Sequence, residues 1–190
     1  MKQSVLVKNI LPFLQWYVLM ILIAIITDYF LHRFHMVYVG RYLGYVGTGF
    51  VIFSFVYSLR KRKIIKAGSP KKLLVVHEYL AWTGSIMILV HAGIHFNALL
   101  PWLAIFMLLI AVATGLVGKF LLKEAIASLK GKKQVLIEKG LDEEEADRQL
   151  FFDSFTVDLM KKWRVVHMPV TFILAVLFLM HIITIIMYSA

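Results

Sequence analysis

Residues 72–96 read KLLVVHEYLAWTGSIMILVHAGIHF, a stretch in which Lys72 and Glu78 are the only formally charged side chains. About twenty apolar residues in one helix are needed to cross the hydrocarbon core, because lipid offers backbone N–H and C=O groups no partners. This stretch meets that requirement, and four others join it at roughly 11–32, 42–60, 99–122 and 162–188. The expectation is an all-α integral membrane bundle of five transmembrane helices forming a single domain over residues 1–190.

Composition agrees. With 61% hydrophobic and 17% charged residues, the chain is too apolar for an ordinary soluble domain. Lys2 and Lys8 ahead of the first apolar run also suit a secretion signal. That run outlasts a signal's short core, however, and Thr27-Asp28-Tyr29-Phe30 supplies no small-residue cleavage site, so it is read as a retained first helix. The net charge of +10 is not evenly spread. Of the 21 Lys and Arg, only Arg33 and Arg41 fall on the side reached after helix one. The other nineteen share the opposite side, which the positive-inside rule assigns to the cytoplasm. The reading is therefore a multi-pass protein of the cell (inner) membrane, with its N-terminus cytoplasmic and its C-terminus outside. The run Arg60-Lys61-Arg62-Lys63 suits anionic lipid headgroups, and no nucleic-acid partner is expected.

The outer connections are expected to be short: about ten residues around Val37-Tyr38-Val39-Gly40, then 96–101. The long excursion is a cytoplasmic loop over about 123–161, with a helix ending near Gly131, a break at Gly140 and a capping-box start at Asp142 and Glu145. Leu150, Phe151, Phe152 and Phe155 form an apolar face suited to the membrane surface or a partner subunit, or simply a surface helix. Trp102 and Trp163 read as interfacial anchors.

There is no cysteine, which removes disulfides, cysteine-ligated clusters and covalently attached haem. Histidine is left to hold any redox centre, and there are seven. His77 and His91 lie on helix three, His167 and His181 on helix five, each pair fourteen residues apart. At about 100° per residue, fourteen residues fall roughly 40° short of four turns, so each pair shares a face about 21 Å apart along the axis. Helices three and five run in the same direction, and the offset from 77 to 167 equals that from 91 to 181. His77 therefore stands level with His167 near the cytoplasm, and His91 with His181 near the outside. Two imidazoles facing across a gap at each of two depths suit two non-covalent b-type haems, each iron taking one pair as axial ligands. A lone intramembrane histidine is more often a packing residue or a proton relay, but the repeat in register is hard to obtain from unrelated residues. A zinc or dimetal site would gather its ligands at one place.

Neighbouring residues fit this picture in more than one way. Gly84 lies seven residues from both His77 and His91, where it either removes bulk between the haems or packs against another helix. Gly44, Gly47, Gly49, Gly115 and Gly118 carry the same two readings. Lys71, Lys72 and Arg164 are placed to pair with propionates at the inner level, Arg33 and Arg41 at the outer one. His95, four residues beyond His91, competes for the outer iron, but its ninety-residue counterpart is Ile185, so register favours His91.

With its two His-x13-His pairs on alternate helices, the region 42–188 resembles the haem-binding core of quinone-linked membrane b-type cytochromes, including the cytochrome b of bc complexes. It is also similar to the membrane domain of ferric reductases and NADPH oxidases. Residues 1–190 are not expected to include the flavin and NADPH domain that follows the oxidase core, and they do not contain the proline-glutamate-tryptophan-tyrosine motif of the bc cytochromes. The resemblance implies electron transfer across the membrane between the quinone pool and a redox subunit of a larger complex. The alternatives are a stand-alone ferric or superoxide-forming reductase and a haem-free transporter or assembly protein. A quinone or proton site is expected near the outer end of helix one, where Asp28, His32 and His35 share a helical face at the level of His95. Headgroup exposure, partner docking or a further metal site would use the same residues.

Overall fold

In the computed structural model, residues 5–94 and 98–188 are described, and among them the structure is helical with no strand. The helices are α1 (Val5–Arg33), α2 (Val37–Ser54), α3 (Val56–Lys61), α4 (Pro70–Ile94), α5 (Leu99–Leu116), α6 (Lys123–Glu138), α7 (Glu143–Gln149) and α8 (Phe151–Tyr188). A π-helical segment, Val117–Leu122, joins α5 to α6 without a break. Five helices are long and apolar enough to cross a membrane: Ile10–Arg33, Val37–Lys61, Pro70–Gly93, Leu99–Glu138 and Phe151–Tyr188. The chain is a multi-pass, all-α membrane protein. Its lipid-facing surface is legible on α8, where Phe172, Leu179 and Ile186 follow one another at seven-residue steps and are 71, 59 and 66% exposed. A stripe of large apolar side chains that open to its surroundings suits hydrocarbon and not water.

The chain divides into two compact units. One combines the segment up to Tyr17 with Ala113–Phe172, and the other holds Val18–Val112 with the end of the chain from Ile173.

In the second unit, α1 ends in a Schellman motif. Met36 N donates to Leu31 O (2.8 Å) and His35 N to His32 O (3.2 Å), with His35 in the left-handed region at φ 55°. The turn is so tight that only residues 34–36 separate α1 from α2. Val37–Gly40, expected in a connection of about ten residues, are instead the first turn of α2. The same motif closes α3, where Lys63 (φ 62°) takes the left-handed position, Ile64 N donates to Leu59 O and Lys63 N to Arg60 O. Pro70 then starts α4 at a position where its missing N–H costs nothing. α2 breaks from α3 at Phe55, so Ser54 contributes one of the last carbonyls of its helix.

In the first unit the expected loop over 123–161 is almost entirely helical. Gly131 does not end its helix, because one glycine costs a helix only about 1 kcal/mol and the flanking run keeps good helix formers. α6 instead continues to Glu138 and closes with Gly140 at φ 88°, Leu141 N donating to Leu136 O and Gly140 N to Ile137 O. Asp142 caps α7 by accepting from Glu143 N at 2.8 Å. α8 begins at Phe151 rather than near 162. Its first turn is tied to α6 by Lys132–Asp153 (2.5 Å), and Lys133–Asp147 (2.9 Å) ties α6 to α7. Thirty-eight helical residues extend about 57 Å, well beyond a hydrocarbon core of about 30 Å. Phe151, Phe152 and Phe155 are exposed on this N-terminal extension.

Candidate functional site

The site is organised by an antiparallel contact between α2 and α4. At its centre the two helices touch backbone to backbone: a β-carbon on Gly84 would lie 2.9 Å from Gly47 O, and one on Gly47 would lie 2.9 Å from Gly84 O. Of the two readings of Gly84, helix packing is the one observed, and α2 occupies the space its missing side chain leaves.

Moving seven residues in either direction from this contact brings a histidine onto a carbonyl. Toward one end His77 Nδ1 donates to Ser54 O at 3.0 Å. Toward the other, His91 Nδ1 donates to Gly40 O at 3.1 Å. Seven residues down α2 match seven up α4, so the pairs 54–77, 47–84 and 40–91 form one register. Gly44 extends it: a β-carbon there would sit 2.6 Å from His91 Cγ and 2.7 Å from Nδ1. The bare backbone at Gly44 thus makes room for the ring. Donating from Nδ1 fixes the tautomer, which carries the lone pair on Nε2 in both rings.

Within the same unit His91 faces His181 of α8, the ring centroids 6.4 Å apart and the planes at 61°. His77 carries a second ring neighbour, Tyr57, at 5.5 Å. In the other unit His167 Nδ1 lies 2.7 Å from Oγ1 of Thr114, a side chain that is 1% exposed, and His167 Cε1 rests 3.5 Å from where a Gly115 β-carbon would lie. His77 and His167 belong to different units.

The other expected site residues are spread more widely. Arg41 is exposed on α2, beside the carbonyl that holds His91. The Arg164 side chain and His95 lie outside the described residues. Asp28 packs its carboxyl on α4, where a β-carbon at Gly93 would meet Asp28 Cγ at 2.9 Å. His32 Nδ1 reaches the Asp28 main-chain carbonyl at 3.0 Å. His35 does not share their helical face, because the Schellman turn takes it off the end of α1.

Sequence reasoning missed the specific roles of Gly40, Ser54 and Thr114. Ser54 and Gly40 stand fourteen residues apart, the same spacing as the histidines they hold, and that match was the available signal. It also passed over Lys119 in the π-helical segment, whose ammonium lies 5.3 Å from the Phe120 ring centroid and 6.0 Å from that of Trp16. π-helical turns interrupting α-helices are frequent near functional sites.

Chemically, the arrangement offers paired imidazoles with oriented rings. Among the described residues no group of three or more His, Cys, Asp or Glu converges as a metal cluster would. A centre that takes two protein ligands per metal asks for no such cluster. Set against models of protein families, curated proteins and solved structures, the chain matches none.

Proposed function

We propose that this chain is a dihaem b-type cytochrome subunit that carries electrons across the membrane between the quinone pool and a partner redox subunit. The single observation that supports it best is the facing of His91 and His181. Two imidazole nitrogens each bonded to one metal at about 2 Å place their ring centres roughly 6 Å apart, and these rings stand at 6.4 Å. The donor set fits a haem iron, which takes four ligands from its macrocycle and needs only two from protein.

His91 and His181 would hold one haem, and the equal ninety-residue offset in the sequence assigns the other to His77 and His167. Haem held by these histidines would supply a one-electron couple. The chain's own part is orientation and tuning. Ser54 and Gly40 accept the Nδ1 protons of His77 and His91, which keeps Nε2 basic and aims each ring. Thr114 engages His167 in the same way when the ring proton resides on Nδ1. Arg41 and Arg164 are the cations proposed for propionates at the two levels, and the charge asymmetry puts the His77 level on the cytoplasmic side.

The test is the visible spectrum and haem content of purified protein. Two acid-extractable b haems per chain are expected, with one lost on replacing His91 or His181 and the other on replacing His77 or His167. A colourless protein would sink the reading and leave the histidines as packing or proton-relay residues.

A further inference from the structure

Asp28 sits within the first membrane-spanning segment, and its Oδ1 is buried with no hydrogen-bond donor among the described residues. A buried acceptor left unsatisfied costs free energy, more so for a charged group in a membrane helix. His32 does not remove the deficit. Its Nδ1 proton goes to the Asp28 main-chain carbonyl at 3.0 Å, and its 3.4 Å approach to Oδ1 is a long secondary contact. The carboxyl is nonetheless held in place. Cγ and both oxygens lie 2.9–3.1 Å from where a Gly93 β-carbon would be, so only glycine at 93 admits it. Gly93 is two residues beyond His91, about 3 Å along the axis.

We infer that Asp28 is the hydrogen-bond acceptor of a binding site for a lipid-soluble aromatic diol, a quinol, whose hydroxyl supplies the donor Oδ1 lacks. A quinol reaches the site through the bilayer and presents an O–H to a carboxylate, the stronger charge-assisted kind of hydrogen bond. Its oxidation to quinone breaks two O–H bonds and releases two electrons. Asp28 accepts each proton in turn, and His32, which is 49% exposed, takes it up by way of solvent at Nε2, the ring nitrogen that its Nδ1 bond to the main chain leaves free of a proton. The two electrons would go, one at a time, to the haem that His91 and His181 would hold. That electron acceptor rests on the haem reading; the binding site does not.

The test is binding of a hydroxyquinoline N-oxide, a quinol analogue, to purified full-length protein, followed by fluorescence quenching. Asp28→Asn keeps shape and removes charge, and is expected to weaken binding about tenfold or more while the visible spectrum stays unchanged. Gly93→Ala, which pushes the carboxyl off α4, is expected to act in the same direction should Asp28→Asn fail to fold. His32→Gln is expected to slow haem reduction by a quinol and leave analogue affinity intact. Unchanged affinity in folded Asp28→Asn and Gly93→Ala proteins would mean that Oδ1 is met by water alone and would overturn the assignment. Wild-type protein that bound the analogue but held no haem would defeat the electron-transfer reading and spare this one.

Discussion

Gly44 and His91 are in direct contact across α2 and α4: a β-carbon at 44 would lie 2.6 Å from the imidazole Cγ. No aliphatic substitution fits without moving either the ring or the helix. Gly44→Ala is therefore expected to destabilise by about 1–3 kcal/mol through overpacking and to lose or shift the absorption of the haem assigned to His91. Gly49 is the control, since nothing lies within 4 Å of its β-carbon position. Gly49→Ala should be neutral, or stabilising by up to about 1 kcal/mol through helix propensity. Equal spectra and equal thermal stability for the two variants would contradict the contact.

Gly47 and Gly84 carry a different expectation, because their backbones meet midway between the two histidines of α4. A bulky residue at either position pushes α2 from α4 and withdraws Ser54 and Gly40 from both rings together. Gly84→Leu should thus diminish both haems in parallel, unlike Gly44→Ala or any single histidine replacement. Haem content per chain and reduced-minus-oxidised difference spectra distinguish these patterns.

Thr114 is buried beside His167 and touches its Nδ1. Thr114→Val keeps the shape but removes the hydroxyl, and loss of such a ligand-orienting partner typically lowers metal affinity about 10–100-fold. The expected result is partial loss of the haem assigned to His167, with the His91 haem retained. Full retention of both haems at low haem supply would show that Thr114 does not orient its ring.

The charge distribution predicts sidedness. The chain has no cysteine, so single cysteines report alone. Ser69→Cys, in the exposed segment between α3 and α4, should resist an impermeant thiol reagent in intact cells. Ala98→Cys, exposed just ahead of α5, should react. The reverse pattern would exchange the inner and outer assignments of the two haems.

The extramembrane pair Lys132–Asp153 is half exposed on both sides. Screening by water leaves such pairs about 0–1 kcal/mol, so Asp153→Asn should barely change thermal stability. A large loss would mean that the helical extension beyond the membrane depends on this contact more than its exposure implies.

How much of this was legible beforehand depended on which interaction made each feature. Spanning helices are dictated by local composition, since any apolar run of that length must satisfy its own backbone in lipid, and five were visible directly. The seven- and fourteen-residue spacings on α4 and α8 were visible for the same reason, as helical periodicity is a local property. Turn geometry was less accessible. His35 and Lys63 occupy left-handed positions usually taken by glycine, so nothing in their identity announced a three-residue connection or the end of α3. The helices ahead of Gly131 and after Asp142 were legible, but the continuation of α6 to Glu138 was hidden by Gly131, which reads as a stop and is carried within the helix by the residues around it.

Spacing along single helices was enough to read the membrane class, the number of spanning helices and the four histidines at matched intervals. What each small or polar residue faces came from packing between helices. Gly84 was compatible with a cofactor or a helix, and the close approach of α2 settled it as a helix contact. That Ser54 and Gly40 would offer their carbonyls to His77 and His91, and that Asp28 would rest on Gly93, depended on the register between helices. Register is fixed by the summed fit of many side chains across an interface, and no stretch of sequence contains both sides of that fit.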